Sequence, residues 1–328
     1  MPISGGKTRY YFGYDNPLAF RIIPIGRRNS IGQAFDAGQP TQFLGGRQNA
    51  VFFVDVAAGA SPQWRLEGRD LSVPYAVFSC SGDQLFNLPM DSRVSLRASL
   101  ALSIADRARV VDGSGFASIL SYGTTELSAS VSVGNVWSQG NVFLGSGAHV
   151  QGNLVTAGTI QRQNDVTISG TTVTNGYIPA SDIAWSSAPI AASAPNVNLE
   201  PSQVRALTTG DYGNVRVATG GHLRLNAGLY RFRSLQLEPG AEIVLTDAST
   251  TTIHVLTDLQ YRGFVTLGDG ALLVGYFGAN TATFEASFTG RVFAPTGTLS
   301  LGGNVGTTYA GQFFASTVRV NSGIIVSR

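Results

Sequence analysis

Apolar and polar residues alternate along the chain from Val94 onward, and this pattern predicts short β-strands. It is clearest in SLRASLALSI, which begins at Ser95, and in SASVSVG, which begins at Ser128. Successive side chains of a strand point to opposite faces, so the apolar ones would share one face and pack into a core. No proline-rich linker separates these pieces, and we expect them to form one continuous structure.

A repeat of 18 residues follows directly. The block Gly134–Gln151 is followed by Gly152–Ser169, and a third block opens at Gly170. Each block begins with glycine, and Val142 and Ile160 share the ninth place. Self-similarity at a short fixed period is typical of a coil whose turns stack on one another. Eighteen residues suit a three-sided turn of short strands with glycine and asparagine at the corners. The sequence therefore predicts an all-β protein built on a parallel β-solenoid.

A second set of repeats has a longer period. Leu235 and Leu237 come 20 residues after Val215 and Val217, and a further step of 22 residues would place Leu259 over Leu237. The last two turns match at 21 residues, with the expected contacts Phe293 over Phe314, Ala294 over Ala315 and Leu299 over Val320. The apolar residues of each turn are expected to point inward.

The pattern divides the chain into regions. We assign residues 94–328 to the solenoid, with a proline-rich loop at about 178–210 lying along one flank and a helical turn at Glu200–Leu207. Residues 31–93 contain longer alternating strands, among them one around Trp64. They predict either a β-sandwich-like module or an irregular cap over the first solenoid turn.

Composition agrees with this class and excludes others. Apolar residues make up 43% of the chain, enough for a core, and only 13% are charged. A net charge of +2 is too small to indicate nucleic acid as a partner. One cysteine, Cys80, excludes an internal disulfide framework. Neither a leader peptide nor a run long enough for a membrane span is evident. Export would require a leader outside this chain, and a cytoplasmic location stays open.

Two aspartates are the first candidate site. Asp247 and Asp269 each follow by two residues the leucines Leu245 and Leu267, which occupy equivalent places in neighbouring turns. The aspartates would therefore stack about 4.8 Å apart. Such a pair fits a retaining glycosidase, a shared Ca²⁺ or ordinary turn residues. The turn interpretation is preferred, with calcium the only cofactor considered.

A set of basic residues is the second candidate site, for an anionic glycan. Its members share outward positions around one turn: Arg216, Arg224, Arg231 and Arg233. Bidentate contacts would suit carboxylates or sulfates, whereas the alternative is a solvated outer face. Alternation also turns His149, His222 and His254 outward, and we expect all three to face solvent.

Several segments carry a resemblance. Gly290–Leu301 and Gly311–Ser322, with Leu225–Leu245 before them, resemble secreted or surface-attached bacterial β-solenoid domains of adhesin-like and ice-binding-like proteins. The 18-residue blocks are similar to those of bactofilins, which are polymer-forming β-solenoids. The resemblance covers residues 94–328 and implies architecture, with a cell-surface location. An ice-binding face would need regular Thr-x-Thr ladders, and the sequence shows only fragments such as Thr171–Thr174 and Thr250–Thr252.

The leading functional hypothesis is a non-enzymatic, exported structural protein that assembles head to tail with copies of itself. The alternatives are a carbohydrate-active β-helix enzyme and a glycan- or ice-binding module. Assembly is expected because the C-terminal strand shows no cap, while an apolar segment at residues 1–30 is free to dock on it. The residues assigned to this contact are Leu18, Phe20, Ile22, Ile23, Ile25, Ile324, Ile325 and Val326.

Overall fold

The computed structural model describes residues 2–3, 7–31, 39–57, 62–67, 69–72, 94–113, 115–176, 187–268 and 270–328. Throughout these ranges the regular elements are β-strands, and the chain forms two compact units. One unit is built from residues before 93 and the other is a β-solenoid of about 11 turns. The predicted fold class is confirmed.

The first unit contains two antiparallel sheets. Their strands are β1 (Pro2–Ile3), β2 (Lys7–Ile22), β3 (Asn29–Ile31), β4 (Gln42–Ala57), β5 (Gln63–Leu66) and β6 (Arg69–Ser72). The first sheet has the order β1-β2-β4 and the second β3-β5-β6. Trp64 is fully buried between Phe12 and Phe43, with ring centroids 6.0 and 6.1 Å away. Its indole N–H donates to the side-chain oxygen of Asn29 at 3.0 Å, which satisfies the buried donor.

The N-terminal segment is not a free docking strand, and that prediction was wrong. β2 pairs with β4 along its length, with Phe20 opposite Leu44 and Ile22 opposite Gln42. Ile23 is buried in the core of the same unit, whereas Ile25 is exposed in the turn that follows. Of the residues assigned to docking, Leu18, Phe20 and Ile22 therefore lie in β2 and Ile23 in the core. Pairing with β4 occupies one edge of β2, and β1 covers the other edge at Lys7 and Thr8.

The solenoid contains the remaining strands. Its first set is β7 (Val94–Ile104), β8 (Arg109–Asp112), β9 (Gly115–Phe116), β10 (Ser118–Ser121), β11 (Thr124–Leu127), β12 (Ser132–Val133), β13 (Val136–Ser138), β14 (Val142–Leu144), β15 (His149–Val150), β16 (Leu154–Thr156), β17 (Ile160–Arg162), β18 (Thr167–Ile168) and β19 (Thr172–Val173). Its second set is β20 (Val197–Leu199), β21 (Val204–Leu207), β22 (Gly210–Val217), β23 (His222–Leu225), β24 (Gly228–Leu237), β25 (Glu242–Leu245), β26 (Thr251–Tyr261), β27 (Phe264–Thr266), β28 (Leu272–Tyr276), β29 (Thr281–Phe284), β30 (Phe288–Leu301), β31 (Thr308–Val320) and β32 (Ile325–Ser327).

Each turn has three faces. In the turn that begins with β7, residues 94–98 lie on the first face, residues 101–104 on the second and β8 on the third. We call the first the covered face, the second the polar face and the third simply the third face. Apolar side chains from all three point inward and form one continuous core, as the alternation predicted.

The register of the 18-residue blocks is confirmed. Val142 lies opposite Ile160 and Val150 opposite Ile168, each in parallel pairing. Asparagines at the corners reinforce this stacking. The side-chain oxygen of Asn135 accepts the backbone N–H of Asn153 at 2.8 Å, which is 18 residues later. A corner amide held in this way satisfies a backbone donor that has no strand partner.

The register of the longer turns was predicted in part. Val215 lies opposite Leu235, as expected, but Leu235 lies opposite Leu259, and Tyr261 takes the place over Leu237. The prediction assumed a step of 22 residues, but Gly228 lies opposite Thr251, a step of 23, and β26 has one residue more at the corner after Phe232.

The last pair of turns shows the same effect. Phe293 and Ala294 stack on Phe314 and Ala315 as predicted. Leu299 instead lies opposite Val318, because two more residues form the corner of β30 than that of β31. Val320 therefore pairs with Leu301, which corrects the predicted contact with Leu299.

The order of turns in the stack differs from their order in the sequence. β31 pairs in parallel with β7, and β32 pairs with β8. Residues 197–327 therefore form one part of the stack and residues 94–173 continue it. We call the pairing of β31 and β32 with β7 and β8 the junction. Val320 lies opposite Ile104 there, and Val326 opposite Val110.

The junction corrects the assembly prediction for the C-terminal strand. Ile324 and Val326 are fully buried, and β32 is paired on both sides, with β31 and β8. The backbone of Ile325 lies between Thr308 and Arg109. These residues were expected at an open end because the sequence shows no cap, but the first turn of the same chain covers them.

The proline-rich region is shorter than predicted. β20 and β21 already belong to the coil, so stacked turns resume at Val197. The expected helical turn at Glu200–Leu207 is instead a turn at residues 201–202 followed by β21. Strand pairing with β23 prevails over the local preference that proline gives to a helix start.

Four tyrosines lie inside the coil, with their hydroxyl groups near backbone carbonyls. They are Tyr230, Tyr261, Tyr276 and Tyr309. The Tyr276 hydroxyl donates to the carbonyl of Thr257 at 2.7 Å, and that of Tyr309 lies 2.8 Å from the carbonyls of both Phe284 and Gly302. Burial raises the pKa of Tyr276 to about 12 and that of Tyr309 further.

Inward and outward positions are expected to respond differently to truncation. Leu237 is fully buried whereas Arg224 is exposed. Leu237→Ala should lower the free energy of unfolding by about 2–5 kcal/mol, because it removes apolar contacts and leaves a cavity. Arg224→Ala should change it by less than about 0.5 kcal/mol. Urea unfolding followed by circular dichroism measures both, and equal losses would show the assigned register to be wrong.

Alkaline pH is expected to destabilise the solenoid. The pKa of Tyr276 is raised to about 12 in the folded state, against about 10 when unfolded. The neutral phenol therefore contributes stability that is fully present below pH 10 and is lost as pH rises from 10 to 12. Urea unfolding at intervals across this window should show the fall, and Tyr276→Phe should show a smaller one. A free energy of unfolding that stays constant over the window would contradict this account.

Candidate functional site

The polar face carries a continuous column of polar side chains. They share an outward position in successive turns: Asn198, Arg216, Gln236, Gln260, Thr283, Ser300, Arg319, Ser103, Glu126, Phe143 and Gln161. Phe143 is the single large apolar member of this column. Buried and outward residues alternate without exception in β29 and β11, for example. The face is therefore flat and polar along the length of the stack.

Hydroxyl groups occupy the centre of this face. We call them the hydroxyl ladder: Thr281, Thr283, Thr298, Ser300, Thr317, Ser103 and Thr124. They stand in two columns, with turns about 4.8 Å apart and neighbours along a strand about 6.6 Å apart. Ala101 and Arg319 complete the central turns. Among the described residues, none of these hydroxyl groups hydrogen-bonds to another protein group.

The junction brings the hydroxyl ladder together. Thr317 of β31 lies next to Ala101 of β7, and Ala101 lies next to Thr124. The threonine fragments noted in the sequence do not contribute. Thr172 lies in the outermost strand of the stack, and Thr251 is buried. Sequence reasoning missed the ladder because Thr281, Thr298 and Thr317 follow one another at unequal steps of 17 and 19 residues, and Ser103 and Thr124 join them only across the junction.

The outer part of the polar face is cross-linked rather than free. Arg216 donates to the side-chain oxygen of Asn198 at 3.2 Å and forms an ion pair with Glu238. The hydroxyl of Ser234 lies 3.0 Å from the side-chain oxygen of Asn214. These contacts hold side chains to one another, in contrast to the unpartnered hydroxyl groups at the centre.

The covered face has the opposite character. Phe293 and Phe314 stack with ring centroids 4.7 Å apart, and the Arg97 guanidinium lies 5.1 Å from the Phe314 ring. Arg97 also donates to the Tyr122 hydroxyl at 2.7 Å. All of these side chains point away from the core, yet Phe293, Phe314 and Arg97 are buried. The stack of rings and guanidinium crosses the junction and strengthens it.

Part of the proline-rich segment lies along this face, as predicted. The Ser187 hydroxyl is 3.0 Å from Nδ1 of His254, and Arg233 donates to the carbonyls of Ala191 and Ala192 at 3.1 and 3.4 Å. His254 is therefore buried although it points outward, and the prediction that it faces solvent was wrong. The other two histidines, His149 and His222, are partly exposed.

The predicted arginine patch is not a free anion site. Arg231 makes two hydrogen bonds to the Asp211 carboxylate, at 2.6 and 2.8 Å, and Arg216 and Arg233 bond to the groups described above. Arg224 lies on the third face, apart from these three. Asp211 precedes Arg231 by 20 residues, the offset that aligns Val215 with Leu235. That shared offset was the signal that could have revealed the ion pair.

Of the two candidate aspartates, the structure describes only Asp247. Asp269 lies outside the described residues, although Ile243 pairs with Val265 at the predicted offset. The Asp247 carboxylate accepts the backbone N–H of Ala227 at 2.8 Å. Asp247 therefore acts as a corner acceptor, which is the turn interpretation. No group of three or more His, Cys, Asp or Glu side chains that could hold a metal ion occurs in the described ranges.

Comparison with known protein families, with curated proteins and with solved structures gives no match for this chain. Over the part of the chain that the structure describes, no helix is long and apolar enough to cross a membrane.

Asp247 gives a test that separates a turn from a calcium site. Asp247→Ala removes the acceptor for Ala227 and should lower the free energy of unfolding by about 0.5–1.5 kcal/mol, whereas Asp247→Asn keeps an acceptor oxygen and should lower it less. Chelator should leave the melting temperature of the native chain unchanged. A fall with EDTA that is absent in Asp247→Asn would instead support a bound Ca²⁺.

Proposed function

We propose that this chain is a non-enzymatic structural β-solenoid that binds an extended polysaccharide through its polar face. The observation that carries the proposal is the hydroxyl ladder, a flat array of hydroxyl groups that make no hydrogen bond within the described part of the chain. A location at the cell surface is part of the proposal and is supported by the resemblance to surface β-solenoids alone.

The geometry of the ladder favours a long, repetitive ligand. Its columns run across successive turns at a constant spacing, so a polymer with regularly placed hydroxyl groups could meet several turns at once. Each hydroxyl group both donates and accepts hydrogen bonds, which matches the hydroxyl groups of a sugar. Gln236 and Gln260 continue the same column and add amide groups of the same dual character.

Rigidity supports the same proposal. Strands β30 and β31 carry three members of the ladder and are paired on both sides, β30 with β28, β29 and β31, and β31 with β30, β32 and β7. Thr298 and Thr317 are thus fixed by a sheet backbone rather than by a loop. A preorganised array loses little conformational freedom on binding, so weak individual contacts can add up.

An enzymatic function has less support. The carboxylate of Asp247 and that of Asp211 are each engaged by groups of the same chain. End-to-end assembly also loses its original basis, since the strand expected to be its open end lies inside the stack.

The binding experiment uses insoluble polysaccharides. We expect the protein to co-sediment with microcrystalline cellulose or chitin. The double variant Thr298→Lys, Thr317→Lys should reduce the bound fraction at least about tenfold, because two long charged side chains would hold the ligand off the face. Thr289→Lys is the matched control, since Thr289 is an exposed residue of β30 away from the ladder.

Two results would count against a polysaccharide ligand. One is an absence of binding to both polymers by the native chain. The other is an equal loss of binding in Thr289→Lys, which would show that the ladder is not the contact. Circular dichroism of each variant distinguishes lost binding from lost folding.

Ice is a second candidate, favoured by one specific observation. The central turns align Thr281 with Thr298 and Thr317 in one column and Thr283 with Ser300 in the other. Thr281 and Thr283 form a Thr-x-Thr pair in β29, and β30 continues it with Thr298 and Ser300. The same three proteins can be tested for thermal hysteresis. Hysteresis in the native chain that is lost in the double variant and kept in Thr289→Lys would favour ice over polysaccharide.

A further inference from the structure

The two ends of the stack are formed by strands that are paired on one side among the described residues. One end comprises β17, β18 and β19, which pair with β14, β15 and β16. The other comprises β20 and β21, which pair with β22 and β23. All of these pairings are parallel, so strands at both ends run in the same direction. One copy of the chain could in principle continue the stack of another.

The core column beneath the polar face ends in a charged residue. Its members share the inward position of successive turns: Leu199, Val217, Leu237, Tyr261, Phe284, Leu301, Val320, Ile104, Leu127, Leu144 and Arg162. Leu144 is fully buried, whereas Arg162 in the outermost turn is exposed. An arginine therefore occupies a place that the rest of the column fills with apolar side chains.

The other end shows the same substitution in a different column. Arg205 of β21 lies opposite Leu223, which lies opposite Ile243, and both of these are buried. Arg205 itself is exposed, and its neighbour Val204 is 55% exposed. Each end of the stack thus carries an arginine at an inward position of the third or the polar face.

The end formed by β17, β18 and β19 has a second polar residue at an inward position, besides Arg162. Thr172 of β19 takes the inward place that Leu154 holds in the turn before, where Leu154 is fully buried. The Arg162 guanidinium lies 3.4 Å from the Thr172 hydroxyl, so the two polar groups meet at the end of the core. Polar groups therefore occupy two inward places of this end, whereas Ile160 and Ile168 keep apolar side chains in two others.

We propose that Arg162 and Arg205 are gatekeepers, which keep a second copy of this chain from adding to either end of the stack. If another copy extended the coil, Arg162 would be enclosed between Leu144 and the next copy's β20, where Leu199 holds the same column. Burying a guanidinium without a carboxylate costs more than the surrounding apolar contacts return. An inward-pointing charge is an established means of protecting a strand edge from pairing.

The test removes both charges. In the double variant Arg162→Leu, Arg205→Leu, the two columns that end in arginine become apolar to the last turn, whereas Thr172 is kept. Sedimentation velocity over a range of concentrations should show the native chain without end-to-end assembly and the double variant associating into species of several copies. Each single variant leaves one arginine in every end-to-end contact and should associate much less than the double variant. Electron microscopy should show the associated species as elongated.

Arg224→Leu is the matched control. Arg224 is an exposed arginine of the third face at an outward position, so its replacement adds an apolar side chain without opening an end. A double variant that sediments like Arg224→Leu would overturn the proposal, as would a native chain that already forms end-to-end assemblies. Arg162→Met with Arg205→Met repeats the test with unbranched side chains if the leucine variant folds poorly.

The proposal does not depend on the ligand of the polar face. The double variant keeps the hydroxyl ladder, so its binding to cellulose or chitin should equal that of the native chain. Loss of polysaccharide binding by Thr298→Lys, Thr317→Lys would in turn leave the sedimentation behaviour unchanged. The two sets of variants therefore test the polysaccharide proposal and the proposal for the ends of the stack independently.

Discussion

The parallel pairing of β31 and β32 with β7 and β8 is the interaction on which the rest of the solenoid depends. Without it the chain would form two separate coils, each with an open core at one side. With it, Val320 covers Ile104 and Val326 covers Val110, and the core becomes continuous. The Arg97 guanidinium on Phe314 closes the same contact from outside. Burial of apolar surface on this scale is the dominant favourable contribution to folding.

Local features of the fold were predictable because the coil is regular within each turn. Alternation identified Leu237 and Leu245 as inward residues, and the 18-residue period gave the contact of Val142 with Ile160. Errors arose at corners, where one strand has more residues than its neighbour, as around Leu259. Period counting assumes equal corners. The order of the turns could not be predicted. A repeat in the sequence shows that consecutive turns resemble one another, but it does not show that β31 stacks on β7.

The site was less predictable than the fold. Arginines and aspartates were predicted as site residues because they are charged. In the structure, Arg231 binds Asp211 and Asp247 accepts a backbone N–H of the same chain. The hydroxyl ladder consists of ordinary residues, and Thr317 meets Ala101 and Thr124 only across the junction. The difference in burial between the faces was not predicted either. Alternation identifies outward residues such as Phe293, but it does not indicate which of them are buried. Face-specific burial is a property of the folded chain.

The junction also has a consequence for synthesis. Gln312 donates to the carbonyl of Val94 across 218 positions of sequence. A ribosome therefore completes the turns of residues 94–173 long before the partner of β7 exists, and the nascent chain carries an unprotected strand edge during that interval. Contacts so distant in sequence slow folding, and exposed edges of this kind pair with other chains. A chain released before Thr308 would keep that edge of β7 without the partner that β31 provides.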